Sequence, residues 1–526
     1  MNKILDLNSA KSTLSKQEKI GQLFMPAAFI NDTEEEIQAI EKLITEHHVG
    51  GLCFFHSRAS AATNYEGKKM VIYNEHSFTT LQKLIKRYQK ASKHRLLMAI
   101  DAEWGLAMRI ENTPQYPYAI TLGAIDHDKD LVFQVGRNIA HDCKQAGIHY
   151  NLSPVSDINN NPDNPVIGYR SFGENKFNVA LKSIQYIKGM QSEGIASSVK
   201  HFPGHGDTAV DSHLGLPQID KSKEDLLDNE LSPFIELIKE NVDSIMVGHL
   251  SVPALSNGRN VSSSISKEMI SGLLRKELGF KGVVISDALN MHAVSKNYPN
   301  KGELEWLAFD AGNDILCFAE HIPEGIKEIT LKATETQIES AFERVWKLKE
   351  KTINADVSNP SETINPDFLN QKIAQKSITL FSGSKENISE FRETGFLSLS
   401  YSKGSENEFV RELKNLFKFK HLTVDQLDSS KVKNEKNILL SIFPPQVKPT
   451  DNFGFTNKEI ELVNELINTK NVVLYLFGNP YALGVFDYEK AKACVLAYQD
   501  FKVFQQVAAN HFAGSIIAEG KMPVTL

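Results

Sequence analysis

One short stretch concentrates groups able to move protons. Lys200-His201-Phe202-Pro203-Gly204-His205-Gly206-Asp207, and shortly after it Asp211-Ser212-His213, bring together three histidines and two aspartates. Gly204, Gly206, Gly215, Pro203 and Pro217 bar a continuous helix or strand, so the stretch is expected to be a loop. An imidazole can give and take a proton near neutrality, and a carboxylate beside it can fix its tautomer and stabilise its charged form. Asp211 and His213 are two residues apart, which makes that contact feasible in a non-helical loop. By residue type alone, His201 and His205 are equally eligible proton donors. A solvated polar loop is the plainer reading. A metal site built from His201, His205, Asp207, Asp211 and His213 is the sharper rival. Against the metal stands Pro203-Gly204, which denies the helix that would align His201 with His205, and no cysteine is near. The glycines also predict that residues 204–215 move to bring His213 over a bound ligand.

The elements that would position these groups come from periodicity. Apolar runs at 20–25, 49–54, 96–100, 148–152, 195–199, 244–247, 283–285 and 314–318 alternate with helical patterns at 34–47, 78–89, 131–146, 178–193, 223–240 and 267–278. Short continuous apolar runs suit strands buried on both faces, and amphipathic segments suit helices that cover them. Eight strands with helices between them predict a (β/α)8 barrel over residues 1–354, with a doubly wound open sheet as the alternative. The third run ends in Asp101-Ala102-Glu103-Trp104, the fourth in Asn151-Leu152-Ser153-Pro154, the fifth in Lys200-His201, the sixth in Gly248-His249 and the seventh in Ser286-Asp287. Five successive strands thus deliver polar groups to the edge where such barrels carry their chemistry. The plainer role for Asp287 is a helix N-cap ahead of Ala288-Leu289, worth about 1 kcal/mol.

From residue 355 the chain turns rich in Asn, Ser, Pro and Thr, which predicts a linker and connecting helix over 355–375. Strand-like runs at 377–381, 396–400, 437–442, 472–476 and 493–497, with helical patterns at 409–417, 457–467 and 501–512, predict a smaller α/β/α open-sheet domain over 376–526. No phosphate-binding glycine pattern occurs there. It reads as a packing or docking module.

The 526 residues carry a formal charge of −7, with 41% hydrophobic and 23% charged residues. That composition argues against general affinity for nucleic acid or an anionic membrane. The densest basic stretch, residues 83–95, reads as the solvated face of a helix. No apolar window is long enough to insert in a bilayer, and an acidic residue, Asp6, comes almost at once. Cys53, Cys143, Cys317 and Cys494 are far apart, the pattern of reduced, buried thiols. A cytoplasmic location without cofactor is expected.

The 200–207 stretch with Asp211-Ser212-His213 resembles glycoside hydrolase family 3, and within it the β-N-acetylglucosaminidases of the NagZ type. Ile285-Ser286-Asp287-Ala288-Leu289-Asn290-Met291 looks like that family's nucleophile segment. Val166-Ile167-Gly168-Tyr169-Arg170-Ser171-Phe172-Gly173 and Ile20-Gly21-Gln22-Leu23-Phe24 are also similar, and the closing Gly520-Lys521-Met522-Pro523-Val524 resembles two-domain members. The resemblance implies Asp287 as nucleophile, His213 as general acid/base and Asp211 as its partner. It further implies that Asp101, Arg109, Arg170, Lys200 and His201 hold the sugar. After Asp101 the family often has a second glycine and an arginine, where this chain has Trp104-Gly105-Leu106-Ala107, although Arg109 keeps its spacing. Ring hydroxyls need such paired donors and acceptors; for Arg170 the alternative is a salt bridge in the barrel mouth.

The implied function is a retaining exo-glycosidase that removes terminal β-linked N-acetylglucosamine from muropeptide or chitin-type oligosaccharides. Such an enzyme needs a carboxylate beneath the anomeric carbon and a proton donor for the leaving oxygen. Phosphate in place of water as acceptor stays open. Two other classes compete: a metal-dependent barrel hydrolase of amides or phosphates, which chelators would silence, and a non-catalytic sugar-binding protein.

Overall fold

The computed structural model describes residues 4–56, 73–126, 128–208, 215–355, 363–402, 406–424, 432 and 434–526. They fall into two compact units whose segments alternate along the chain. One comprises Met1–Tyr116, Val132–Ile158 and Val179–Thr363, the other Pro117–Leu131, Asn159–Asn178 and Ile364–Leu526. The second unit therefore owns two segments that precede residue 354. Side chains tie them in: Asn159 Nδ2 donates to the Tyr481 hydroxyl at 2.7 Å, and Gln499 Nε2 to Thr121 Oγ1 at 2.7 Å.

The first unit is built on parallel strands: β1 (Phe24–Met25, resuming past Pro26 as Ala27–Phe29), β2 (Gly51–Phe55), β3 (Leu97–Ile100), β4 (Tyr150–Asn151), β5 (Ala196–Phe202), β6 (Ser244–Val247), β7 (Val283–Ser286) and β8 (Leu316–Cys317). Each pairs in parallel with the next from β1 to β7. The ring is completed by a parallel bridge from Ile285 to Ile315 and by the pairing of Phe24 with Leu316 and Met25 with Cys317. This is an eight-stranded parallel barrel with helices between its strands. Its strand residues are buried because they face both the barrel interior and the helices. Val199, Phe202, Phe234, Leu237, Ile245, Leu273 and Val284 share one apolar cluster at β5–β7. Each such side chain contributes about 1.5–3 kcal/mol on burial.

Several helices start where local chemistry dictates. Thr33 caps Glu34–His47, with Glu36 returning the bond to the Thr33 N–H, and Ile40 and Ile44 form its buried stripe. A second such box, Ser15 with Glu18, starts Lys16–Gly21. That helix takes up Ile20 and Gly21, so the first strand begins at Phe24 and not at residue 20. The pattern at 223–240 divides into Lys223–Asp228 and Ser232–Lys239, with Pro233 in the first turn of the second. Glu268–Glu277 is wound as a π-helix, a widening its apolar spacing does not reveal.

The second unit has a six-stranded sheet formed by β9 (Thr379–Ser382), β10 (Leu397–Tyr401), β11 (Lys420–Thr423), β12 (Asn437–Ile442), β13 (Asn471–Leu476) and β14 (Ala493–Leu496). Their order is β9-β14-β13-β12-β10-β11, and only the β9–β14 pair is antiparallel. Strand β11 was not expected. It lies at the sheet edge with Lys420 exposed, so it lacks a buried apolar run. Helix Pro366–Ser377 precedes the sheet, and Lys385–Glu393 is a further helix that the sequence pattern did not single out.

All four cysteines are buried free thiols. Among the described residues no helix is long and apolar enough to cross a membrane.

Candidate active site

The carboxyl ends of β3 to β7 assemble one constellation in the first unit. Asp101 directly follows β3. The Asn151 side chain at the end of β4 clamps the adjacent backbone, accepting from Ala102 N–H and donating to its carbonyl, both at 3.1 Å. The Asp101 carboxylate accepts from Lys200 Nζ at 2.5 Å on Oδ1 and from Arg109 Nη2 at 2.8 Å on Oδ2. Lys200, 2% exposed, also lies 2.9 Å from Glu103 Oε1. Two carboxylates thus flank one ammonium. The Arg109 guanidinium stacks on Phe55, 3.9 Å from its ring centroid, and Phe55 meets Phe318 edge-on. Such stacking fixes the guanidinium plane as well as its charge.

The second group surrounds Asp157, four residues into the loop after Ser153. Its fully buried carboxylate accepts from the backbone N–H of His201 at 3.0 Å and of His205 at 2.8 Å, both on Oδ1. His201 Nδ1 lies 2.8 Å from Oδ2. Burial alone would raise the Asp157 pKa, but the two histidines and these N–H donors outweigh it and lower it. An ionised carboxylate only accepts, so His201 carries its proton on Nδ1. Gly248 makes room for this ring: a Cβ there would lie 3.0 Å from His201 Cβ. His205 Nδ1 meets Thr208 Oγ1 at 2.8 Å, while that hydroxyl donates to the His205 carbonyl. Burial, helped by the neighbouring His201, drives the His205 pKa down to about 4, so it is neutral.

Asp287 follows β7. Its N–H donates to Val247 O at 2.9 Å, and its Oδ1 accepts from Ala288 N–H at 2.8 Å. Burial would raise its pKa; His249, His201, the Ala288 N–H and Lys200 together bring it to about 2. Fully ionised and held by backbone, it is equipped as a nucleophile or an electrostatic stabiliser. His249 donates from Nε2 to Ala288 O at 2.9 Å, and its Nδ1 lies 2.8 Å from Ser264 Oγ, so both ring nitrogens support the turn that carries Asp287.

The structure thus brings together Asp101, Arg109, Lys200, His201 and Asp287, five of the eight residues singled out from sequence. Arg170 falls in the second unit, on the turn Gly168–Arg170, where Nη1 donates to Val166 O at 3.1 Å. Asp211 and His213, and with them most of the loop expected to move, lie outside the described residues. Asp207 pairs with Lys221 at 2.5 Å, and Lys221 also holds Glu230. Among the described residues no group of three or more His, Cys, Asp or Glu side chains is arranged for a metal ion. Sequence reasoning missed Asp157 and the stacking face of Phe55, and gave Glu103, at the end of the third run, no role of its own. The rule that polar residues gather past strand ends reaches Glu103 directly, and Asp157 when it is followed one turn further down the β4 loop.

The glycosyl hydrolase family 3 N-terminal domain matches residues 15–348. Beta-hexosaminidase A of Pseudoalteromonas piscicida is 31% identical over 359 residues, covering 61% of this chain and 58% of that protein. The chain therefore spans less than two thirds of that relative's length. Beta-hexosaminidase of Neisseria meningitidis serogroup C (strain 053442) is 34% identical over 264 residues, 49% of this chain and 71% of that one. Among solved structures, a glycoside hydrolase family 3 beta-N-acetylglucosaminidase from Paenibacillus sp. str. FPU-7 is similar, with a TM-score of 0.78 and 26% identity, covering 98% of this chain and 99% of that one.

Proposed function

The chain belongs to glycosyl hydrolase family 3, and from that premise we propose that it is a retaining exo-β-N-acetylglucosaminidase with Asp287 as its nucleophile. The observation that carries the reading is the Asp287 carboxylate, ionised by its cationic and N–H neighbours at the end of an apolar strand. Names borne by the relatives, beta-hexosaminidase and beta-N-acetylglucosaminidase, point to the same substrate class.

In the first step Asp287 Oδ attacks the anomeric carbon and the bond to the leaving oxygen breaks. That oxygen takes a proton from the His213 imidazolium, which Asp211 orients. A covalent glycosyl ester results. Water then attacks the same carbon, returns a proton to His213 and frees Asp287, so the sugar leaves with its β configuration retained. Asp101, Arg109 and Lys200 present a fixed array of one acceptor and two donors to ring hydroxyls. His201, its Nδ1 held by Asp157, leaves Nε2 to meet a hydroxyl. Muropeptide fragments and chitin-type oligosaccharides both end in the required sugar.

Release of p-nitrophenol from p-nitrophenyl N-acetyl-β-glucosaminide, with no release from the corresponding glucoside at equal concentration, is the expected result. A chain that cleaves neither compound, or the glucoside alone, overturns the reading.

A further inference from the structure

The basic stretch at 83–95 does more than meet solvent. Helix Ser77–Ala91 and the turn that follows it form one wall of a cavity of about 690 Å³, completed by Ile4 and Trp346. Lys86, Lys90, Lys93 and Arg95 line it, and among the described lining residues there is no carboxylate. Glu18, which takes Lys93 at 2.6 Å, is not among them. Four cations converge on one concavity of a chain whose net charge is −7.

Behind the Trp346 wall lies a buried lysine. Lys349, fully buried, donates to Gln22 Oε1 at 2.5 Å and Gly50 O at 3.1 Å and packs over Trp346. Burial, aided by the Arg95 charge, lowers the Lys349 pKa to about 7. The same two causes act on His149. Both shifts register the Arg95 charge against a low-dielectric wall, where its field at the cavity surface is strengthened.

We propose that this cavity binds a phosphorylated small molecule at a site separate from Asp287. Arg95 precedes β3 and Asp101 follows it, so the strand holds the two sites apart by about 13 Å along its axis. A phosphomonoester carries close to two negative charges near neutrality, which matches several converging cations better than a single carboxylate does. The volume lies within the range of metabolite pockets, roughly 300–1,000 Å³, and exceeds what a bare ion fills.

Calorimetric titration of the full chain at low salt, with glucose 6-phosphate, adenosine 5′-monophosphate and inorganic pyrophosphate as probes, tests this. Saturable binding of at least one phosphomonoester is expected, weakening as salt is raised. Lys86→Ala combined with Lys90→Ala is expected to weaken it by roughly tenfold or more, as is Arg95→Gln. Asp287→Asn is expected to bind as the parent does. Both lysines are exposed, so the double variant remains decisive if Arg95→Gln fails to fold. Absence of saturable binding below about 10 mM overturns the proposal. So does affinity unchanged in the lysine double variant, loss of binding in Asp287→Asn, or binding of pyrophosphate alone.

Discussion

His201 and Asp157 are joined twice: ring Nδ1 lies 2.8 Å from one carboxylate oxygen, and the backbone N–H of the same residue lies 3.0 Å from the other. With His205 N–H as a third donor, one buried carboxylate sets both the ring plane of His201 and the path of the loop beyond it.

Asp157→Ala leaves three buried donors without an acceptor. A loss of roughly 3–5 kcal/mol is expected, read as a lowered urea midpoint of the first unit. Asp157→Asn keeps the shape and one accepting oxygen, so it is expected to unfold later than the alanine variant while still losing turnover. Equal midpoints for parent and Asp157→Ala would remove the anchoring role.

Asp287→Asn is expected to lower turnover of an aryl N-acetyl-β-glucosaminide by roughly a thousandfold or more. It is also expected to abolish covalent labelling by a fluorinated sugar, seen as loss of the adduct in an intact-protein mass spectrum. Labelling at the parent level would place the nucleophile elsewhere.

For His213→Ala the expected loss depends on the leaving group. Substrates with poor leaving groups need the proton and suffer most, whereas activated aryl glycosides need it least. A flat loss across a series of aglycones of rising pKa would exclude His213 as the acid.

Arg109→Lys retains charge but gives up the planar stack on Phe55 and the Nη2 hydrogen bond to Asp101. KM is expected to rise by about tenfold with kcat little changed, the signature of lost ground-state binding. A selective fall in kcat would argue for a part in the chemical step.

Stability should fall between pH 6.5 and pH 4. Burial lowers the pKa of His149 to about 3 and of His205 and His511 to about 4, so in this window the unfolded chain binds protons that the folded chain refuses. Asp142, raised to about 6 by burial, and Asp500, also raised by burial, work in the opposite sense, but they are two groups against four once His94, likewise lowered by burial, is counted. Thermal midpoints at pH 7 and pH 5 compare the two; an unchanged or higher value at pH 5 would contradict this balance.

Much of the barrel was legible because burial on both faces leaves an unmistakable mark. The runs ending at Ile100, Val247 and Ile285 could hardly be anything but enclosed strands, and polar residues just beyond them had to face the mouth. Asp101, Lys200 and Asp287 were found in that way. Asp157 was harder, since its importance lies in three hydrogen bonds to a loop distant in sequence, which no local spacing records. The π-helix at Glu268–Glu277 and the edge strand β11 were hidden for local reasons: Met269, Ile270, Leu273 and Leu274 keep a spacing that an α-helix also shows, and a half-solvated strand carries no apolar run.

The alternation of segments between the two units has a practical corollary for anyone dissecting this chain. A gene cut in the 355–375 region would give a barrel fragment still carrying Pro117–Leu131 and Asn159–Asn178, both severed from the partners that satisfy Thr121 and Asn159. The complementary fragment would lack two of its own pieces. Clean separation calls for short bridging loops in place of both insertions, or for co-expression of the halves, because no single scission respects the boundary.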